Sequence, residues 1–69
     1  MKDWEKKICD DILRSGVIIR DEEMRSDKGD YIRQYTIEVI GVNDRLVSYY
    51  LTKMNGEWIY IHCNGFVNK

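Results

Sequence analysis

Residues 49–61 read YYLTKMNGEWIYI, two apolar runs separated by an Asn-Gly dipeptide at positions 55 and 56. Aromatic and β-branched residues favour strands, and Asn-Gly between two such runs indicates a β-hairpin. A two-residue type I′ turn would pair Leu51 with Tyr60 and distribute apolar residues over both faces of the hairpin. A three-residue loop with a bulge at its glycine instead pairs Leu51 with Ile59 and collects the aliphatic residues on one face. We therefore predict the three-residue loop.

The chain on the N-terminal side of this hairpin continues the same period-two pattern. The stretches 27–29 and 42–44 carry the Gly, Asn and Asp residues typical of tight turns, and the chain contains no proline. Four strands are therefore predicted: Val17–Arg25, Tyr31–Gly41, Arg45–Lys53 and Glu57–Phe66. Because such short turns join antiparallel neighbours, we expect a meander sheet in the order 1-2-3-4.

Loop length also predicts which residues stand opposite each other on neighbouring strands. Three-residue loops at 27–29 and 42–44 give these opposite pairs: Glu23–Arg33, Ile19–Ile37 and Val39–Val47. All three turns then agree on one inner, aliphatic face of the sheet. That face comprises Val17, Ile19, Tyr35, Ile37, Val39, Val47, Tyr49, Leu51, Ile59, Ile61 and Cys63.

The first sixteen residues predict a helix that can cover this inner face. Apolar residues recur there at helical spacing: Trp4, Ile8, Cys9, Ile12 and Leu13. Asp3 is the expected cap at the start of the helix, and Gly16 is expected to take the left-handed conformation at its end. Asp10 and Arg14 are four residues apart and are expected to form a surface ion pair.

These elements predict a single α+β domain over residues 1–69, with an N-terminal helix packed on one face of a four-stranded antiparallel meander sheet. A helix is about 10 Å wide, so it covers much of one face and leaves the other open. The open face is expected to carry an apolar and aromatic surface: Ile40, Leu46, Tyr50, Trp58, Tyr60 and His62. We assign these residues as a candidate protein interface.

Two interpretations of this aromatic surface are open. Aromatic cross-strand pairs stabilise sheets by roughly 0.2 to 1 kcal/mol each, so the residues can act as filling, partly covered by the chain tail at 64–69. Tyrosine and tryptophan are also typical of interface centres, and so short a domain gains from burying a second face against a partner. We expect the second role, in a homodimer or in a complex with another protein.

Charge and composition argue against several other classes of protein. The chain has 11 Lys and Arg residues against 12 Asp and Glu, a net charge of −1, which disfavours a general nucleic-acid binder or a polybasic membrane anchor. The charged N-terminus and the short apolar runs indicate neither a signal peptide nor a membrane span. Cys9 and Cys63 are too few for a disulfide scaffold, so we expect two buried thiols in a cytoplasmic protein.

No catalytic, metal or cofactor site is predicted from the titratable residues. His62 is the single histidine, and alternation along a strand points its neighbour Cys63 to the opposite face. We therefore expect a non-enzymatic protein-binding or regulatory module: an inhibitor, an antitoxin-like factor or an accessory subunit. The alternative is single-stranded nucleic-acid binding by base stacking on Tyr50, Trp58 and Tyr60, for which this face supplies few cations.

Overall fold

The computed structural model describes residues 1–67, which form one helix and one antiparallel sheet. In chain order the elements are α1 (Asp3–Ser15), β1 (Val17–Arg25), β2 (Tyr31–Ile40), a short 3-10 turn (Val42–Asp44), β3 (Leu46–Met54) and β4 (Glu57–Val67). The sheet order is β1-β2-β3-β4, and α1 packs against one face of it. The predicted α+β fold and its meander order are confirmed. No helix among these residues is long and apolar enough to cross a membrane.

The start of α1 differs by one residue from the expected cap. The cap position is Lys2, and Asp3 is already the first residue of the helix, so the assignment of Asp3 as the cap is wrong. The Glu5 carboxylate accepts a hydrogen bond of 2.9 Å from the Lys2 backbone N–H. Asp3 and Glu5 thus both lie in the first turn, where the helix dipole favours negative charge.

The end of α1 lies very close to β2. Gly16 is extended, with φ of −91° and ψ of 174°, so the expected left-handed conformation is wrong. A Cβ atom at this position would collide with the side chain of Ile37 and lie 2.9 Å from the carbonyl oxygen of Ile12. Glycine is therefore required here by the close approach of the helix end to β2, and not by the sign of φ.

The β3–β4 hairpin turns through Asn55 and Gly56 alone, which are left-handed with φ of 52° and 86°. Met54 stands opposite Glu57, so a two-residue turn forms and the predicted three-residue loop is wrong. A type I′ turn matches the right-handed twist of its strands. The three-residue loop was expected to add one residue to the β4 side of the hairpin. A β-bulge within β4 adds that residue instead.

The bulge decides which aromatic residues of β4 face the helix. Trp58 stands opposite Lys53, but Tyr60 stands opposite Thr52, so residue 59 is the extra residue on β4. The predicted pairing of Leu51 with Ile59 is wrong, because beyond the bulge Leu51 stands opposite residue 61. Ile59 is 45 % exposed and does not contribute to the buried core.

Trp58 packs beneath α1 and is only 5 % exposed. Its indole Nε1–H donates a hydrogen bond of 2.7 Å to Oδ1 of Asp10 on the helix. The ring centroid lies 5.8 Å from that of Tyr35, and the Lys53 ammonium lies 4.5 Å from the indole centroid. Trp58 is therefore held to the helix by a hydrogen bond, and to its neighbouring strands by ring packing and a cation–π contact.

The carboxylate of Asp10 can bind Trp58 because Arg14, the partner predicted for Asp10, pairs with Asp11. Arg14 forms its ion pair with Asp11, and the predicted pair of Asp10 with Arg14 is wrong. Both arrangements are compatible with the helix, since residues three and four positions apart lie side by side. In the structure, Asp11 pairs with Arg14, and Asp10 accepts the hydrogen bond from Trp58.

The first two turns confirm part of the predicted register. Val39 stands opposite Val47, and Glu23 opposite Arg33, as expected. A second bulge between Ile18 and Arg20 then shifts β1, so Ile37 stands opposite Ile18 and the predicted Ile19–Ile37 pair is wrong. All residues of β1 are exposed, because α1 contacts mainly β2 and β4.

The core is therefore smaller than the predicted inner face. Its buried residues are Cys9, Ile12, Tyr35, Ile37, Leu51 and Trp58, with Leu13, Val39, Tyr49 and Ile61 packed partly buried against them. Four residues predicted to lie inside are exposed: Val17, Ile19, Ile59 and Cys63. On α1, Trp4 and Ile8 remain 60 % and 39 % exposed, because the helix turns the side bearing Cys9 and Ile12 toward the sheet.

The hydrogen bond between Trp58 and Asp10 is expected to appear as an energetic coupling. Asp10→Ala and Trp58→Phe should each lower the free energy of unfolding, and the double variant should lose less than both single losses added together. The expected coupling is about 1 kcal/mol, because either change removes the same bond. Urea denaturation followed by circular dichroism measures it.

Asp11→Ala provides the matched control for this cycle, since Asp11 lies on the same helix but pairs with Arg14. The loss of unfolding free energy caused by Asp11→Ala should add to the loss caused by Trp58→Phe, with no coupling between them. Additive losses for Asp10→Ala and Trp58→Phe would contradict the contact.

Candidate protein-interaction surface

The outer face of the sheet is the face directed away from α1. Opposite residues on antiparallel strands share a side of the sheet, as do alternate residues along one strand. The buried side chains of Ile37, Leu51 and Trp58 mark the helix side. The outer face therefore comprises Val17, Arg20, Glu22 and Met24 on β1, Ile32, Gln34, Thr36, Glu38 and Ile40 on β2, Leu46, Ser48, Tyr50, Thr52 and Met54 on β3, and Glu57, Tyr60 and His62 on β4.

An aromatic row, defined by Tyr50, His62 and Tyr60, crosses β3 and β4 on this face. The rings of Tyr50 and His62 are parallel to within 2°, with centroids 6.2 Å apart. Those of His62 and Tyr60 are 6.4 Å apart at an angle of 20°. The side-chain amide of Asn64 donates a hydrogen bond of 3.4 Å to the Tyr50 hydroxyl. Tyr50 and Tyr60 are nevertheless 40 % and 50 % exposed, so the aromatic row is both held in place and accessible to solvent.

Apolar side chains lie on both sides of the aromatic row. Ile40 and Leu46 stand opposite each other at one end of the face, and Ile40 is 71 % exposed. This pair also lines an open hollow that extends to Val17, at the start of β1. At the other end, Met24, Ile32 and Met54 stand in one line across three strands.

Charged residues are concentrated on the opposite side of the sheet, where α1 does not cover β1. The guanidinium of Arg33 donates hydrogen bonds of 2.9 and 2.6 Å to the carboxylate of Asp21. These hydrogen bonds lower the pKa of Asp21 below its usual value. On the outer face, by contrast, Nε of Arg20 lies 3.3 Å from the carboxylate of Glu22, and the remaining charges of the described residues are Glu38 and, at the edge, Glu57. The two uncovered surfaces therefore differ in kind, one polar and one mainly apolar.

Five of the six predicted interface residues lie on the outer face: Ile40, Leu46, Tyr50, Tyr60 and His62. The placement of Trp58 on this face is wrong, because the two-residue turn sets Trp58 opposite Lys53 on the helix side, and the bulge comes only after it. Met54 also lies on the outer face, although the predicted three-residue loop had included it. The preference of Asn-Gly for a two-residue turn is the signal that could have placed Met54, since that turn sets it opposite Glu57.

The titratable and nucleophilic side chains do not converge on a reaction site. Within residues 1–67, no group of three or more His, Cys, Asp or Glu side chains is placed to hold a metal ion. His62 belongs to the aromatic row, and Cys63 stands opposite Tyr49 on the other side of the strand. Cys9 is fully buried beneath the sheet-facing side of α1, whereas Cys63 is exposed, so the expectation of two buried thiols holds for Cys9 alone.

The two thiols are expected to react at very different rates. Burial, followed by the charges of Asp10 and Glu5, raises the pKa of the Cys9 thiol above its usual value, while Cys63 is open to solvent. Iodoacetamide at neutral pH should therefore modify Cys63 in the folded protein and Cys9 only after unfolding in urea. Mass spectrometry of the digested chain checks the order, and equal modification of both thiols in the folded protein would contradict the burial of Cys9.

Comparison with known proteins identifies no relative of the chain. No protein-family model, no curated protein and no solved structure matches the chain. The geometry of the outer face is therefore the basis for assigning a function.

Proposed function

We propose that this chain is a small non-enzymatic protein-binding module, of the kind that serves as an inhibitor, an antitoxin-like factor or an accessory subunit, and that it binds through the outer face. Its partner is a protein, either a second copy of the chain or another chain. The observation that supports this function is the aromatic row, which is accessible on a face that no other layer of residues 1–67 covers.

The aromatic row has the properties of an interface centre. Tyrosine side chains bury a large area with few rotatable bonds and keep a hydroxyl for hydrogen bonding, so they are common among the residues that dominate binding energy. Stacking on His62 and the hydrogen bond from Asn64 already restrict the ring of Tyr50 in the free chain. Such preorganisation lowers the entropy lost on binding.

The interpretation of these residues as filling has weaker support. The backbone of residues 66 and 67 pairs with β3, so this part of the tail extends the sheet, and the tail contact with the outer face is the hydrogen bond from Asn64 to Tyr50. Asn68 and Lys69 lie outside the described residues. Ile40, Tyr50 and Tyr60 keep between 40 % and 71 % of their surface in solvent, which is more than filling residues retain.

Single-stranded nucleic acid is the less favoured ligand for the same face. Base stacking could use Tyr50, His62 and Tyr60, but a binding track also needs free cations for the phosphates. Arg20 is the cation on the described outer face, and it is paired with Glu22. The net charge of the chain is −1, which adds no long-range attraction.

The cytoplasm is the compartment in which we place this module. Cys9 and Cys63 are both free thiols, and Cys63 is exposed. A reducing compartment keeps an exposed thiol from forming a disulfide, which supports this placement.

Capture from an extract of the source cells tests the proposed function. A tagged chain should retain a protein, and an untagged copy of the same chain counts as one. Tyr60→Asp should reduce the amount of that protein retained at least tenfold. The substitution removes a 50 % exposed ring and places a charge in the contact. Quantitative mass spectrometry measures the retained proteins, and circular dichroism verifies that the variant is folded.

Trp4→Ala is the matched control, because Trp4 is a 60 % exposed aromatic residue on α1, away from the outer face. It should retain the same protein as the unmodified chain. Retention that survives Tyr60→Asp, or the absence of any retained protein, would contradict the proposed function.

A further inference from the structure

We infer that the partner of the outer face is a second copy of this chain, packed face to face about a two-fold axis that runs parallel to the strands between β2 and β3. The inference rests on the proposed function, because it uses the same face. It adds the identity of the partner, the direction of the symmetry axis and the residues that meet across it.

The register between β2 and β3 determines which residues meet. A two-fold axis along the strands and midway between them places each residue of β2 over the residue that stands opposite it on β3, but in the other copy. The facing pairs are Ile32 with Met54, Gln34 with Thr52, Thr36 with Tyr50, Glu38 with Ser48 and Ile40 with Leu46. Each pair occurs twice, once on either side of the axis.

These pairs are chemically complementary along the whole length of the two strands. The apolar pairs lie at the two ends, where Ile40 faces Leu46 and Ile32 faces Met54. Between them, Glu38 faces the small, uncharged Ser48, which is only 6 % exposed in its own chain, so the carboxylate meets no second charge. No like charges meet across β2 and β3, so the central strands match their own symmetry copy.

The edge strands, β1 and β4, also face complementary residues of the second copy. The same axis places β1 of one copy over β4 of the other, and the register aligns Arg20, Thr36, Tyr50 and His62 at one level of the sheet. Arg20 therefore faces the aromatic row of the second copy, where a guanidinium can stack on a ring. One level further along the strands, Glu22 faces Tyr60, whose hydroxyl can donate a hydrogen bond to the carboxylate.

A two-fold axis across the strands is disfavoured by charge at two of its positions. Such an axis places each strand over its own copy in the reverse direction. At the level of Tyr50 it would set Arg20 over Arg20 of the second copy, and at the level of Ser48 it would set Glu38 over Glu38. Like charges held together in a desolvated contact oppose association, whereas the axis along the strands sets no like charges over each other among the described pairs.

The area of the outer face reaches the lower limit for a specific dimer. β1 and β3 each have 9 residues, so at about 3.3 Å per residue and about 4.8 Å per strand the face measures roughly 30 by 19 Å. Two such faces, fully covered, bury about 1,100 Å², which is above the roughly 1,000 Å² that a specific interface must exceed and typical of a weakly associating dimer. The dimer then has four layers, with both helices on the outside and the two sheets in the middle.

Sedimentation at high micromolar concentration tests whether the chain forms this dimer. The expected mass is twice the 8.3 kDa of one chain. Ile40→Arg should return the chain to a monomer, because it places a cation against the apolar side chain of Leu46 of the second copy. Ile40 is 71 % exposed, so its replacement leaves the monomer folded. Trp4→Ala, on α1, should remain dimeric.

The direction of the axis is tested by a distance between the two copies. Lys28 lies in the exposed β1–β2 turn, so Lys28→Cys in a Cys63→Ser background carries one reactive spin-label site, since Cys9 is buried. An axis along the strands brings the two β1–β2 turns to the same end, and double electron–electron resonance should give a separation of about 15 to 25 Å. An axis across the strands places them at opposite ends, more than about 40 Å apart.

The outcomes separate this inference from the proposed function. A dimer with the long separation, or a dimer that persists in Ile40→Arg, overturns the inference. A chain that stays monomeric also overturns it, but if that chain retains a foreign protein through Tyr60, the proposed function stands. A monomer that retains nothing overturns both.

Discussion

The burial of Trp58 beneath α1 is the interaction on which the rest of the structure depends. The indole packs against Tyr35, and its Nε1–H reaches Asp10 on the helix, so one side chain of β4 fixes where α1 lies on the sheet. The position of α1 in turn leaves β1 without cover on its inner side and leaves Trp4 exposed. A β-bulge one residue after Trp58 then turns Tyr60 to the outer face, so a single irregularity separates the core aromatic from the surface aromatics.

The distribution of charge explains why the outer face, and not the uncovered inner side of β1, is the surface suited to a partner. The inner side near β1 holds the ion pair of Arg33 with Asp21, a hydrated arrangement that already satisfies its polar groups. The outer face pairs Arg20 with Glu22 and keeps Ile40 and the aromatic row in solvent. Because a chain of 69 residues gains only a small net stability from its own core, covering this face contributes substantially to the stability of an assembly.

The fold could be predicted from periodicity and turn chemistry, whereas the bulges could not. The change from helical to period-two spacing at Gly16 and the three tight turns predict the helix, all four strands and their order. A bulge inserts one residue without an alternation signal and exchanges the two faces beyond it, which is why Ile19 was misplaced. Trp58 was misplaced because the β3–β4 turn has two residues, the length that Asn-Gly favours, and not the three that were predicted. Tyr60 and His62 were placed correctly because the bulge in β4 restores, beyond residue 59, the same facing that the three-residue loop had implied.

The position of Trp58 is tested most directly by its own fluorescence. The chain has two tryptophans, so Trp4→Phe leaves Trp58 as the single emitter. With Trp58 only 5 % exposed, its emission should be shifted to the blue in the folded protein and protected from acrylamide, and both properties should disappear in urea. Emission at the wavelength of a hydrated indole, with quenching as efficient in the folded as in the unfolded protein, would contradict the burial of Trp58 and the arrangement of the outer face that follows from it.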